Sequence, residues 1–316
     1  MVTRRTTLSG MFYPDNPVLL KRTLDAFYDN PQLRDFFANC SPKMKESGIS
    51  SESVSEGMMP EVKSGLSEGQ SGIPEKKSEI PEDKPRMPKG IVSPHAGIVY
   101  SGLTSAYAYG TIPQDFSGTF VIIGPSHSGY SDCMSSQDWE TPLGDIAADG
   151  VLIRELSKHL RVDDYAMSRR ENSIEVQTLF IKHRFPNAKC VCILMGNQTE
   201  RNALAMGRAI YNAISVTNTE SVIVASSDFS HYIPAAEAEK YDIYAINALG
   251  NLDTGLFYKR IITEGISACG YGPIIAMTEC CRLMGAEYSE LLKYSTSGDI
   301  TGEYSEVVGY AAISVE

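Results

Sequence analysis

The chain has 316 residues, 42% of them hydrophobic, which is enough to bury a substantial core in one large domain or two modest ones. Its 28 Lys+Arg against 39 Asp+Glu leave a net charge of −11, and no basic stripe interleaves with aromatics, so its field repels a phosphate backbone and nucleic acid is excluded as the expected partner. No window approaches the ~20 apolar residues of a membrane span, and the opening "MVTRRTTLSGMFYP" lacks the apolar stretch of a signal peptide. Seven cysteines, odd in number and scattered, read as free thiols, so a cytoplasmic location is expected.

In chain order, a first helix near the N-terminus gives way to residues 41–89. That stretch has no Phe, Tyr or Trp and is dominated by Ser, Glu, Lys, Gly and Pro. Little apolar burial is available there to offset ordering entropy, so it is expected to be a disordered insertion in a single domain spanning 1–316. Then "KGIVSP" (89–94), "GTFVIIGP" (118–125), "AKCVCILMG" (188–196) and "ESVIVASS" (220–227) are short and apolar on both faces, as parallel strands covered on both sides require. "GVLIRELSKHL" (150–160), "NSIEVQTLFIKHRF" (172–185) and "RNALAMGRAIYNAISV" (201–216) carry apolar residues at helical spacing. Near the end, "AEYSELLKYSTSG" and "SEVVGYAAISV" read as strands, antiparallel additions to the sheet. The alternation predicts an α/β fold, a mainly parallel or mixed sheet flanked by helices.

Chemistry gathers where the strands end. His95 follows "GIVSP", His127 follows "FVIIGPS", and Asp228 and His231 follow "VIVASS". Loops beyond the carboxyl ends of parallel strands converge on one edge, where ligands bind. Singly, each histidine reads equally as a loop residue bonded to backbone; together they suggest that metal, protons or substrate are handled. His159 and His183, beside lysines in amphipathic patterns, read as solvated helix residues.

Cys269 in "SACGYGPI" precedes the helical run "IIAMTECCRLMG", where a helix N-terminus would favour thiolate; it reads as a metal ligand or as a small residue before a tight turn. Cys190 and Cys192 share one strand face and suit packing, while Cys280 and Cys281 are ordinary helix residues. Glu171 and Glu175, four apart, share a helix face; they read as acceptors for imidazole N–H groups or as solvated carboxylates.

The ordered set "SPHAGIVYSG", "GPSHSGYS", "SSDFSHY" and "ACGYGPI", with "SGMFYP", "ENSIEVQTLF" and "VVGYAAISV", resembles the Memo family (mediator of cell motility), outside residues 41–89. The family is also protein B of the AmmeMemoRadiSam system, so the resemblance implies a radical SAM partner. It further implies a fold related to LigB-type class III extradiol dioxygenases, which hold non-haem Fe(II) with two histidines and a carboxylate. By motif, His95 and His127 match the metal histidines, His231 matches the acid/base histidine, and Cys269 stands where the carboxylate would be. A thiolate is softer than a carboxylate, so the implied ion is Cu, Fe or Zn, and classical dioxygenase activity is not expected. Family members often carry Glu-His-Ser-Ile-Glu where this chain has Asn172, so any role needing that histidine is absent. Two functions of different class remain: a metal-dependent redox enzyme with Asp228 and His231 as its proton-handling pair, or a protein that binds a small molecule, peptide or partner in the same cleft without turnover.

Overall fold

The computed structural model describes residues 2–40 and 87–316. Its elements are β1 (Thr3–Arg4), α1 (Pro17–Tyr28), α2 (Pro31–Cys40), β2 (Gly90–Ser93), α3 (Ile98–Gly110), β3 (Thr119–Pro125), β4 (Cys133–Met134), β5 (Asp138–Trp139), α4 (Gly150–Leu156), α5 (Asp164–Met167), α6 (Asn172–Arg184), β6 (Lys189–Met195), α7 (Glu200–Thr217), β7 (Ser221–Ser226), β8 (His231–Ile233), α8 (Ala235–Ile246), α9 (Thr254–Glu264), α10 (Tyr271–Leu283), β9 (Ser289–Thr296), α11 (Gly298–Thr301) and β10 (Val307–Val315). Residues up to Arg34 and from Met87 onward form one compact unit, while residues 35–40, the end of α2, belong to a second.

The main sheet runs β4-β6-β3-β7-β2-β10-β8, with β9 also paired to β10. The four strands β6, β3, β7 and β2 are mutually parallel, and β10 pairs antiparallel with β2, β8 and β9. The expected α/β class and mixed sheet are therefore present. The two final strands are antiparallel, as their sequence suggested.

Side chains alternate across each strand, so β3 sends Val121 and Ile123 to one face and Phe120 and Ile122 to the other. The first face buries against α4, α7, α9 and α10. On the second, Phe120 lies 5.0 Å from Phe185 and 6.2 Å from Tyr109, which stacks on Phe180 at 5.4 Å. Each such buried apolar side chain is worth roughly 1.5–3 kcal/mol over its exposed state, so double coverage is what makes these short strands stable. Cys190 and Cys192 register with Phe120 and Ile122 on this second face and are buried packing residues. Cys280 and Cys281 are buried in α10.

Three expectations change. Of the segment expected as an insertion, residues 41–86 lie outside the described residues, but Lys89 is part of the sheet: its N–H donates to Val315 O and its carbonyl accepts from Ile223. The helix read over 150–160 ends at Leu156. Further along, helix α6 is not amphipathic in the expected sense, because Ser173, Glu175, Gln177 and Thr178 are buried with its apolar residues.

Candidate metal centre

The parallel strands end in register, Ser93 opposite Ser226 and Pro125 opposite Met195, so the loops after β2, β3, β6 and β7 open on one edge. His95 and His127 each lie two residues past their strand, as does Asp228 past β7. Cys269 arrives from the other direction, just ahead of α10. Its loop sits hard against β7: a Cβ added to Gly270 would meet Ser226 O at 2.3 Å, so only glycine permits the approach.

The approach assembles the cluster. Ligand-type atoms of His95, His127 and Cys269 all lie within 4.8 Å of one another, and so do those of Asp228, His231 and Cys269. His95 Nε2 is 3.1 Å from Cys269 Sγ, and the two imidazoles meet edge to face at 5.2 Å between centroids. Strand-end reasoning placed His95, His127, Asp228 and His231 at one edge and the resemblance added Cys269; in the structure their ligand-type atoms fall into these two overlapping groups.

His95 is buried, and that burial, followed by the facing His127, holds its ring well below the usual histidine range and therefore neutral. Burial pushes the Cys269 thiol well up, and the Asp228 carboxylate adds to it. The thiolate expected from the helix N-terminus is thus overturned for the metal-free protein, because desolvation outweighs a dipole whose first helical residue is Tyr271. A protonated thiol donates to His95 Nε2, which leaves the ring proton on Nδ1 to donate to Ser226 Oγ at 2.9 Å. Ser226 Oγ also accepts from Gln177 Nε2 at 2.8 Å.

His127 is 39% exposed. Its backbone N–H and Nδ1 donate to the two oxygens of Glu171 at 2.8 and 2.7 Å, which leaves Nε2 turned to the cluster. Partial burial works against its charge, but the Glu171 bond and charge prevail and raise its pKa. Glu171, buried at the N-terminus of α6, stays below its ordinary value: burial opposes ionisation, and His127 and Ser173 overcome it.

Asp228 Oδ1 accepts from the backbone of His95 and Ala96, and Oδ2 lies 3.9 Å from His95 Nε2. Burial pushes this carboxyl up to about 6, against the lowering pull of those N–H groups. Its own N–H donates to Cys269 Sγ at 3.3 Å. His231 is oriented by Ser267 and not by its proposed partner Asp228: His231 Nδ1 donates to Ser267 O at 3.0 Å and its N–H donates to Ser267 Oγ at 2.8 Å. The residue after it, Tyr232, has φ +58°, a left-handed turn that re-aims the strand beside the cleft.

Of the two glutamates read as a pair, only Glu171 reaches an imidazole. Glu175 is fully buried and accepts from the Thr7 and Leu8 backbones, the Thr7 hydroxyl and the Tyr13 phenol, and it pairs with Arg4. It fastens the N-terminal segment, so neither glutamate is a solvated carboxylate. His183 is likewise not solvated, since its Nε2 bonds Asp25 at 2.8 Å and its ring stacks on Tyr28. His159 is exposed, as expected. Asn172 Nδ2 donates to His95 O at 3.1 Å. Sequence reasoning missed Ser226, Gln177 and Ser267; being ordinary polar residues, they carry no signal until the fold sets them against a ring nitrogen.

Fold and cluster together define an α/β protein with a His/His/Cys group at the carboxyl edge of a mixed sheet. A family model described as Memo-like protein matches residues 72–314, and the chain belongs to that family. A MEMO1 family protein of Methanococcoides burtonii is 43% identical over 230 residues, 72% of this chain and 86% of the relative. One of Methanosarcina barkeri is 41% identical over the same shares. Among solved structures, an uncharacterized protein, JW3007, from Escherichia coli K12 superposes with a TM-score of 0.47 at 13% identity, covering 73% of this chain and all of that one. No helix among the described residues is long and apolar enough to cross a membrane.

Proposed function

We propose that this chain is a metal-binding Memo-family protein in which His95 Nε2, His127 Nε2 and Cys269 Sγ hold one copper, iron or zinc ion, and that it is redox-active towards a small-molecule or peptide-like ligand in the cleft. The observation that carries this is the donor set. Three soft or borderline donors converge within 4.8 Å, and each imidazole has its other nitrogen held, by Ser226 and by Glu171. Metal-binding histidines are oriented in this way.

Such an ion would supply Lewis-acid or one-electron chemistry beside the ligand. The protein's own share follows from the geometry. Asp228 presents Oδ2 to the cluster from a carboxylate anchored on two backbone N–H groups. With Nδ1–H on Ser267, His231 offers its Nε2 lone pair as a proton acceptor. A second reading, a cleft that binds without turnover, is favoured by the thiol at position 269, where the resemblance puts a carboxylate. A radical SAM partner and a cytoplasmic location rest on the resemblance and on cysteine usage respectively.

Metal analysis of untagged protein, purified reduced and anaerobically, tests the reading. About one soft or borderline ion per chain is expected, and it should be lost in a His95→Ala, His127→Ala double variant. Unchanged stoichiometry in that variant would remove the site.

A further inference from the structure

An open cavity of about 470 Å³ lies beside the His127 loop, lined by Thr7, Ser128, Tyr130, Ser168, Arg169 and Arg170. Ser128 follows His127 directly, and Arg170 directly precedes Glu171, the residue that holds the His127 ring. The Ser128 hydroxyl donates to Arg170 O at 3.1 Å, so the two loops form one wall.

The cavity is basic in an acidic protein. Neither arginine has a carboxylate partner among the described residues. Arg169 lies over the Tyr165 ring at 5.6 Å, and Arg170 Nη2 touches Met11 Sδ. The carboxylates close to the lining residues in sequence, or bonded to residues 6–8, have other partners: Asp132 accepts from Gly196, Asn197 and Asn202, Asp163 pairs with Arg161, Asp164 accepts from Ser135 and Ser136, Glu140 pairs with Arg5, Glu171 with His127 and Glu175 with Arg4. Both line the same cavity, so an anion seated there is attracted by two charges that no carboxylate among the described residues neutralises.

The hydroxyls narrow the chemistry. Thr7 spends its proton on Glu175, Ser128 on Arg170 O and Ser168 on Tyr165 O. The donors left for a ligand are therefore the two guanidinium forks and the Tyr130 phenol, which makes no hydrogen bond among the described residues. Planar forks of this kind match carboxylate and phosphate oxygens.

We propose that this cavity is the anion-recognising subsite of the cleft, taking the carboxylate or phosphate of a small organic anion whose remainder extends past His127 to the cluster. The proposal deepens the metal-centre reading by naming the ligand class, and it rests on that reading for the location of the chemistry.

Calorimetric titration with phenyl phosphate, benzoate and neutral benzyl alcohol tests it. At low ionic strength the two anions should bind the metal-free wild type and the alcohol should not. Tighter phenyl phosphate assigns a phosphate ligand, and tighter benzoate a carboxylate. In an Arg169→Ala, Arg170→Ala double variant the anions should bind about tenfold more weakly or worse. Both side chains are exposed, so the variant should melt with the wild type. An Arg→Lys pair, charged but without forks, should fall between. Anion binding that is absent from the wild type, or equal in wild type and the Ala variant, would overturn the proposal. Zinc titration of the same proteins separates the two readings. The arginine variant should still take up zinc, and the His95→Ala, His127→Ala variant should still bind the anion. Wild type that binds anion but no zinc would sink the metal centre and leave the subsite standing.

Discussion

Glu171→Gln is the sharpest probe of the candidate metal centre, because it alters neither a proposed ligand nor the size of the side chain. The carboxylate accepts from His127 N–H at 2.8 Å, His127 Nδ1 at 2.7 Å and the Ser173 hydroxyl at 2.9 Å. An amide has one accepting oxygen, so its NH2 must face one of these donors and at least one bond is lost. Hydrogen bonds to a charged group are worth about 1.5–3 kcal/mol, and each 1.4 kcal/mol or so is a factor of ten in affinity. That gives a loss of roughly 10–100-fold, the range found when the partner of a metal-binding histidine is removed. Because the His127 side chain is 39% exposed, solvent screening trims the contribution of the pair to folding, so the loss should appear in metal affinity more than in melting temperature. Competition between the protein and a chromophoric zinc chelator reads the affinity, and stoichiometry should not change. Zinc affinity equal in variant and wild type would show that Glu171 does not present His127 to a metal, and the argument from held imidazoles would fall with it.

Glu175→Gln should act on stability instead: it leaves Arg4 buried and unpaired, at a cost of about 3–5 kcal/mol in urea unfolding near neutral pH. Burial opposes its ionisation, but Arg4, Tyr13 and Thr7 hold the folded-state pKa below 4.5, so this stabilisation is present above that pH and is lost as pH falls through the depressed value; the gap between variant and wild type should narrow on acidification, and a pH-independent gap would refute the assignment. In metal-free protein near neutral pH, Cys269 should alkylate more slowly than a free thiol, because burial and the Asp228 charge raise it, and added zinc should abolish the residual labelling; labelling as fast as that of a free thiol would contradict the argument. Gly270→Ala, whose new Cβ would meet Ser226 O at 2.3 Å, should displace the Cys269 loop, cost about 1–3 kcal/mol or more and abolish zinc binding; unchanged zinc uptake would show that the close approach is dispensable.

The parallel core was legible because its signal is local. β2, β3, β6 and β7 are runs apolar on both faces, and each falls within a residue or two of the segment read from sequence. Their shared direction then placed His95, His127 and Asp228 on one edge without any knowledge of packing. What stayed illegible depends on distant partners. Two-residue strands such as β4 and β5 exist only through pairing, and β8 is defined by β10. Likewise the Cys269 thiol was misjudged because a motif reports its helix but neither the burial nor the Asp228 charge that raise it. Sequence reasoning paired Glu171 with Glu175 by spacing alone. It could not foresee that a segment more than 160 residues upstream would claim the second of them.

That division of labour explains why α6 buries so many polar groups. Within two turns, Glu171 holds His127, Asn172 holds the His95 carbonyl, Ser173 shares its one hydroxyl proton between Glu171 and Pro125 O, Glu175 fastens residues 4–13, and Gln177 reaches Pro94 O and Ser226 Oγ. These bonds end either on the last residues of β3 and β7 or on the loops and the N-terminal segment beyond the sheet. An apolar α6 would pack as well against β3 but would leave both histidine loops to their own entropy, each ordered residue costing roughly 1–2 kcal/mol of backbone freedom. Asn172 fits this role. Its amide donates to the His95 carbonyl and brings no ionisable group. The first turn of α6 in this chain therefore positions both histidine loops of the cluster.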